Sequence, residues 1–137
     1  MLSKKTQYAF RALAHLAVNY GKEPVKISHI SIKEKIPLKF LENILNELKK
    51  EDILESKKGK GGGYILKISP KKINLAKVIR IINGPIALVP CASLNFYEKC
   101  TDCDEETCGT RKMMIIARDA TLKVLEKKTL HDLITER

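Results

Sequence analysis

SHISIKEKIPLKFLENILNELKK, residues Ser28 to Lys50, holds a short apolar-periodic run, a break at Pro37 and a second, strongly patterned run. From Leu38 to Lys50 the apolar residues Leu41, Ile44, Leu45 and Leu48 repeat at helical spacing, while Lys39, Glu42, Asn43, Asn46 and Lys49 fall opposite. Pro37 ends the first run and can open the second, because a proline lacks only an amide that the first helical turn leaves unpaired anyway. Before it, Ser28 is the expected cap of a short helix that turns Ile27, Ile30 and Ile36 inward. A short helix, a tight break and a second amphipathic helix outline a helix-turn-helix.

Downstream, Ile53–Lys57 reads as a strand, Lys58-Gly59-Lys60-Gly61-Gly62 as a turn, and Gly63–Ile68 as the return strand. Three consecutive glycines each cost roughly 0.5–1 kcal/mol against alanine in regular structure, so they belong where φ is positive or the backbone approaches something closely. The lysines and glycines raise a phosphate-binding P-loop as an alternative. That loop needs Gly-Lys-Ser/Thr opening a helix, whereas here the glycines open a strand. A wing whose Lys57, Lys58 and Lys60 lie along phosphates fits better.

Upstream, Ser3 is the expected cap of a helix covering Tyr8–Tyr20, with Gly21 as its stop; beyond the hairpin, Pro70 ends the strand and Asn74 caps a helix with Leu75, Val78, Ile79 and Ile82 on one side. From Thr110 to about Lys127 a longer helix carries apolar residues on more than one face. Such a helix needs more than one neighbour, and a second copy of the chain is the simplest supplier.

The fold class expected is therefore mainly α with a small β-hairpin: a winged helix-turn-helix plus a long C-terminal dimerisation helix. Residues 1–73 form the DNA-binding region, 74–90 a connecting helix and turn, 91–108 a cysteine-rich loop, and 109–137 the dimerisation helix and tail. The 137 residues suffice for one domain with a real core. Residues 1–72 carry 16 Lys and Arg against 7 Asp and Glu, whereas residues 73–137 carry 10 against 9. That asymmetry implies a polyanionic partner, nucleic acid first and an anionic membrane surface second. No apolar run approaches the roughly 20 residues of a membrane span, and no signal-peptide pattern opens the chain, so a reducing cytoplasm is expected.

All four cysteines, Cys91, Cys100, Cys103 and Cys108, fall within 18 residues at spacing C-x8-C-x2-C-x4-C. In a reducing compartment, thiols so gathered serve as metal ligands or reversible redox groups; zinc and an iron–sulfur cluster both suit four thiolates. The neighbours Asp102, Asp104, Glu105 and Glu106 are expected to raise the thiol pKa values. His15, within the first helix, reads as partly buried structure, His29 as solvated, and His131 as a remote residue of a terminal helix. No Ser/His/Asp set or paired carboxylates stand at catalytic spacing, so hydrolase chemistry has no support. A redox enzyme or electron carrier using the same sulfurs leaves the basic hairpin unexplained.

With these parts in place, the chain resembles the bacterial IscR/NsrR/CymR-type winged-helix transcriptional regulators, over nearly its whole length. The marks are Ser3-Lys4, Tyr8-Ala9 and Arg11-Ala12; Ile36-Pro37 with Phe40-Leu41-Glu42, Leu45 and Leu48; Gly59 to Tyr64; the cysteines; and Arg118-Asp119-Ala120 with Thr129-Leu130. The resemblance implies a homodimer on double-stranded DNA, at a near-palindromic operator, with the long C-terminal helix as its interface. Lys39, Glu42 and Asn43 match the positions that meet bases, Lys58 the wing position that enters the minor groove, and Lys4 and Lys5 phosphate contacts. It also implies an iron–sulfur cluster, [2Fe–2S] or [4Fe–4S], on the cysteine segment, although members hold it on three cysteines and this chain has four. Zinc and a thiol-redox switch are the alternatives.

Overall fold

The computed structural model describes residues 2–136 and places eight regular elements around one core. Helix α1 spans Lys4–Val18, α2 Ile27–Glu34, α3 Leu38–Lys50, and strands β1 Leu54–Lys57 and β2 Gly63–Leu66 follow. Then come α4 at Leu75–Ile82, α5 at Gly109–Leu125 and α6 at Leu130–Thr135, with 3-10 turns at Pro70–Lys72 and Pro90–Ala92.

Each boundary has a local cause. The Ser3 hydroxyl accepts the Thr6 amide at 3.1 Å and so caps α1. Asn74 does the same for α4 through the Lys77 amide, at 2.8 Å. Ser28 does not cap α2: the helix starts at Ile27, behind Lys26, with no side-chain cap. The reason lies one residue earlier. Val25 is held extended by a bridge to Tyr64, so the chain can turn helical as soon as it leaves Lys26. Helix α2 stops at Lys35, which takes left-handed φ of 54°, and Pro37 stands at the cap position of α3.

The α3 stripe packs as its spacing predicts. Leu41, Ile44, Leu45 and Leu48 are all fully buried, joining Leu13 and Leu16 of α1 and Ile30 and Ile36 around α2. At about 1.5–3 kcal/mol per large side chain removed from water, this stripe is the largest single contribution that α3 makes to the fold. The hairpin pairs Leu54 with Leu66 and Lys57 with Gly63, antiparallel. Ile53, expected within the strand, lies just before it, yet its carbonyl still accepts the Lys67 amide at 2.9 Å.

The end of the chain returns to the head. Leu130 is fully buried in the same core, and α6 packs on α1 and on the Pro70–Lys72 turn. Backbone bonds from Leu130 to the Ile73 carbonyl and from Leu75 to the Lys128 carbonyl lock that return. Helix α5 stands apart: of its residues only Leu122 is buried, while Met113, Ile116 and Val124 are 56, 61 and 56% exposed. Among the described residues no helix is long and apolar enough to cross a membrane.

Candidate DNA interface and thiol site

The cationic face is built from the outer side of α3 and the wing. Lys39, Asn43, Lys57, Lys58 and Lys60 are exposed, Glu42 is half-buried, and Lys39, Lys58 and Lys60 make no ion pair among the described residues. Unpaired lysines are available to phosphates. Lys57 leans 3.5 Å from Glu55 of its own strand. Lys5 differs from Lys4: its ammonium binds Glu47 of α3 at 2.7 Å, which ties α1 to α3, whereas Lys4 sits over the Tyr8 ring at 5.4 Å.

Two apolar residues on this face were given no role on the DNA face from the sequence. Leu38 and Phe40 are 46 and 43% exposed at the start of α3, outside the buried stripe. Phe40 meets Tyr8 edge-on at 5.7 Å, and Arg11 lies 4.9 Å over the same tyrosine. Arg11 also donates to the Glu34 carbonyl at 3.0 Å, so this aromatic and cationic corner joins α1 to the end of α2. The signal was present in the register: neither residue belongs to the set Leu41, Ile44, Leu45 and Leu48.

Glycines position the wing. A Cβ on Gly62 would stand 2.3 Å from the Lys57 carbonyl oxygen, and one on Gly63 would stand 2.4 Å from that of Val25. At Gly63 this close approach allows Tyr64 to exchange two backbone hydrogen bonds with Val25, of 2.8 and 3.0 Å. The wing is thereby fastened to the segment that leads into α2.

The thiol loop lies against α5. Cys91, Cys100, Cys103 and Cys108 all line one cavity of about 300 Å³. The Cys103 thiol donates to Cys100 Sγ at 3.3 Å, and the Cys108 sulfur caps α5 by accepting the Arg111 amide at 3.4 Å. That amide bond lowers the Cys108 pKa and favours its thiolate. Cys103 is pushed up to about 12, first by its bond to Cys100, then by desolvation and by its bond to Cys108. The expected cause, acidic neighbours, is thus replaced by neighbouring sulfur, and Cys108 moves the other way.

Glu105, for its part, is occupied. It accepts the Tyr97 hydroxyl at 2.6 Å and the Cys100 amide at 3.0 Å, which holds its carboxyl below the usual range. Arg111 Nε donates to the Cys91 carbonyl at 3.1 Å and Arg118 to the Ala92 carbonyl at 2.7 Å. These two arginines anchor the Pro90–Ala92 turn to α5. The sequence reading assigned neither of them a role.

The donor set suits a soft metal or an iron–sulfur group: four sulfurs on one cavity, one biased toward thiolate by a helix N-terminus. Among the described residues, no three His, Cys, Asp or Glu side chains are yet grouped about a metal position. The histidines form a separate arrangement. His15 Nδ1 lies 2.9 Å from Glu34 Oε1, and the His15 and His29 rings meet at 5.4 Å.

Known proteins share this architecture. A family model described as "Rrf2: Iron-dependent Transcriptional regulator" matches residues 2–136. An rrf2-like HTH-type transcriptional regulator of Rhodobacter capsulatus is 34% identical over 138 residues, covering 98% of this chain and 92% of that protein. The HTH-type transcriptional regulator CymR of Bacillus subtilis is 30% identical over 132 residues, covering 96% and 88%. The solved structure of CymR, the global cysteine regulator of B. subtilis, gives a TM-score of 0.82 at 28% identity over 100% of this chain and 98% of that one. These relatives are transcriptional regulators and not enzymes, and with the family match running through head, wing, thiol loop and α5 alike, the chain belongs to the Rrf2 family.

Proposed function

We propose that the chain is a cytoplasmic homodimeric regulator that grips a near-palindromic operator with two winged heads, and that an iron–sulfur cluster on Cys91, Cys100, Cys103 and Cys108 sets this grip. The observation that carries the reading is the single cavity shared by all four sulfurs on the flank of α5. The family's description as iron-dependent supports it.

The division of labour follows the geometry. Lys39, Glu42 and Asn43 present donors and acceptors to base edges, while Lys4, Lys57, Lys58 and Lys60 neutralise phosphates. Lys5 serves first as the strut to Glu47. Met113, Ile116, Ala120 and Val124 make an exposed stripe along α5, and an apolar stripe of that length is best covered by the same helix of a second copy. Residues 1–73 then read DNA and α5 sets the spacing of the two heads, with the 91–108 loop held to α5 by Arg111 and Arg118. When bound, the cluster would supply a redox- and iron-responsive crosslink among the four sulfurs.

A second reading, a thiol-redox switch without a cluster, is favoured by the 3.3 Å separation of Cys100 and Cys103 and by similarity to a regulator named for cysteine. Structural zinc is the third option for the same ligands. Anaerobic purification with iron, acid-labile sulfide and zinc analysis separates them. Iron and sulfide bound in equal amounts, and operator affinity that changes on their removal, support the cluster. Colourless protein with one zinc per chain, or metal-free protein whose affinity follows thiol oxidation, overturns it. The operator itself comes from selection on a random duplex pool.

A further inference from the structure

Histidines 15 and 29 lie 14 positions apart and read individually as ordinary structural and solvated residues. The fold brings them together. His15 projects from α1 and His29 from α2, with ring centroids 5.4 Å apart and ring planes at 69°. Both line a cavity of about 320 Å³ whose wall also includes Asn19, Glu23 and Lys26. We propose that His15 and His29 bind a zinc-type first-row divalent cation, with Glu23 and Asn19 as oxygen donors beside them and Glu34 as the carboxylate that orients His15. The site shares no residue with the thiol loop, so it stands whether or not the cluster does.

Three features support it. The first is spacing. With a metal–nitrogen bond of about 2.05 Å and about 1.1 Å from ring nitrogen to centroid, a tetrahedral ion holds two imidazole centroids about 5.1 Å apart. The observed 5.4 Å, in an edge-to-face contact, lies close to that value, and binding requires the rings to turn so that one nitrogen of each faces the ion.

The second is the tautomer of His15. Glu34 Oε1 lies 2.9 Å from Nδ1. A carboxylate only accepts, so Nδ1 carries a proton, and in the neutral ring Nε2 is then the nitrogen that offers a lone pair to a metal. A ligating histidine characteristically gives its other N–H to a carboxylate in this way, which fixes the ring and raises its basicity. Glu34 is itself held, since Arg11 binds its backbone carbonyl at 3.0 Å.

The third is what remains unpaired. The His29 ring makes no hydrogen bond among the described residues. Asn19 spends its Nδ2 on the His15 carbonyl at 2.9 Å, which leaves its Oδ1 without a protein partner among them. Lys26 is the nearby cation on the cavity wall, and it is exposed, so its ammonium can remain in water. Among the described residues no third ligand is grouped with the two rings, so in the proposed site Glu23 or solvent completes the set.

The consequence is mechanical. A cation at this point clasps α1 to α2 next to the Val25–Tyr64 bridge that fastens the wing, and so stiffens the head.

The test uses the full chain with all four cysteines replaced by serine (C91S, C100S, C103S, C108S), titrated with Co2+ and separately with Zn2+. One Co2+ per chain, with visible ligand-field bands and no thiolate charge-transfer band, is expected. His29→Ala, at an exposed position, should weaken binding at least tenfold, and Glu34→Gln by about tenfold. Zn2+ should raise the melting temperature of the serine variant and leave that of its His29→Ala derivative unmoved. A serine variant that binds no Co2+, or a His29→Ala titration that matches its parent, overturns the proposal. If the serine variant does not fold, the wild-type chain with its thiols saturated by Zn2+ serves instead. Further Zn2+ must then shift the ring-proton resonances of His15 and His29 but not of His131, and unshifted resonances reject the site.

Discussion

Replacing Gly63 by alanine tests how the wing is held. The added Cβ would lie 2.4 Å from the Val25 carbonyl oxygen, 2.5 Å from its carbon and 2.9 Å from the Lys26 nitrogen. All three are backbone atoms, so no side chain can swing aside. Gly63 also has φ of 151°, a region that residues with a Cβ rarely occupy. Relief requires β2 to back away from Val25, which breaks the 2.8 and 3.0 Å bonds between Tyr64 and Val25. Two such bonds are worth about 1–3 kcal/mol net, and backbone strain adds about 1–3, so a loss of about 3 kcal/mol is expected. For a chain of this size that lowers the melting temperature by about 10 °C. Urea unfolding of Gly63→Ala beside Gly109→Ala provides the assay, because Gly109 has open space around it and no positive φ. Gly109→Ala should be neutral or slightly stabilising. A Gly63→Ala midpoint within error of wild type would refute the view that close approach, and not loop flexibility, explains the glycine run.

Three further outcomes follow from named contacts. If about eight phosphates are neutralised by the dimer, log K falls against log salt with slope near −7, and Lys58→Ala makes that slope shallower by about one or two units as titrated by fluorescence anisotropy; an unchanged slope removes Lys58 from the interface. If α3 enters the major groove as proposed, exposed Phe40 can meet a thymine methyl, so Phe40→Ala should cost about 1–2 kcal/mol on the selected operator and far less when those thymines are replaced by deoxyuridine; equal losses on both duplexes would contradict that contact. Asp132 accepts the Thr129 amide at 2.9 Å, which depresses its pKa. Its stabilising effect is therefore present above the unfolded value of about 3.9 and is lost as pH falls through the lower folded value, so the gap in urea midpoint between wild type and Asp132→Asn should narrow as pH falls from 6 to 3.

What the sequence revealed and what it hid divide along a physical line. The α3 stripe was legible because its spacing alone decides which residues share a face, and burial of Leu41, Ile44, Leu45 and Leu48 follows. Asn74 and Ser3 were legible as caps because a cap acts on amides three residues away. The glycine run announced a constraint without naming the neighbour that imposes it, since Val25 lies 38 positions earlier. Ser28 misled for the same reason: its local chemistry suits a cap, but the wing, by pairing with Val25, fixes where α2 begins. Lys5 with Glu47, His15 with His29, and Leu130 with the head core are all meetings of distant segments. The contacts of Arg111 and Arg118 were not legible, even though Arg118 is among the marks of the resemblance, because they serve two backbone carbonyls, and a carbonyl leaves no mark in a sequence.

Helix α5 is where the proposed sensing and pairing functions must meet, and its own geometry says how. Arg111 and Arg118 are seven residues apart, so at 100° per residue their side chains leave the helix within about 20° of each other. They form one face and hold the Pro90–Ala92 turn along two helical turns. Met113, Ile116, Ala120 and Val124 leave the opposite side, which is the exposed apolar stripe. In the proposed dimer, a rigid helix gripped by the thiol loop on one side and by a second copy on the other could not accommodate a tightened loop without rolling or sliding against its partner. Besides the return through α6, one link to the head runs through α4. Helix α5 packs on α4, Arg80 reaches Glu126 at 3.5 Å, and Asn83 Oδ1 at the end of α4 accepts Ser3 N at 3.1 Å and Thr6 Oγ1 at 3.0 Å. Movement of α5 through this link would be delivered to the first turn of α1, which Lys5 and Glu47 connect directly to α3. In the proposed dimer α3 would then move with the head as one body, so a change at the sulfurs would alter the distance between two heads and leave the base contacts of each unchanged.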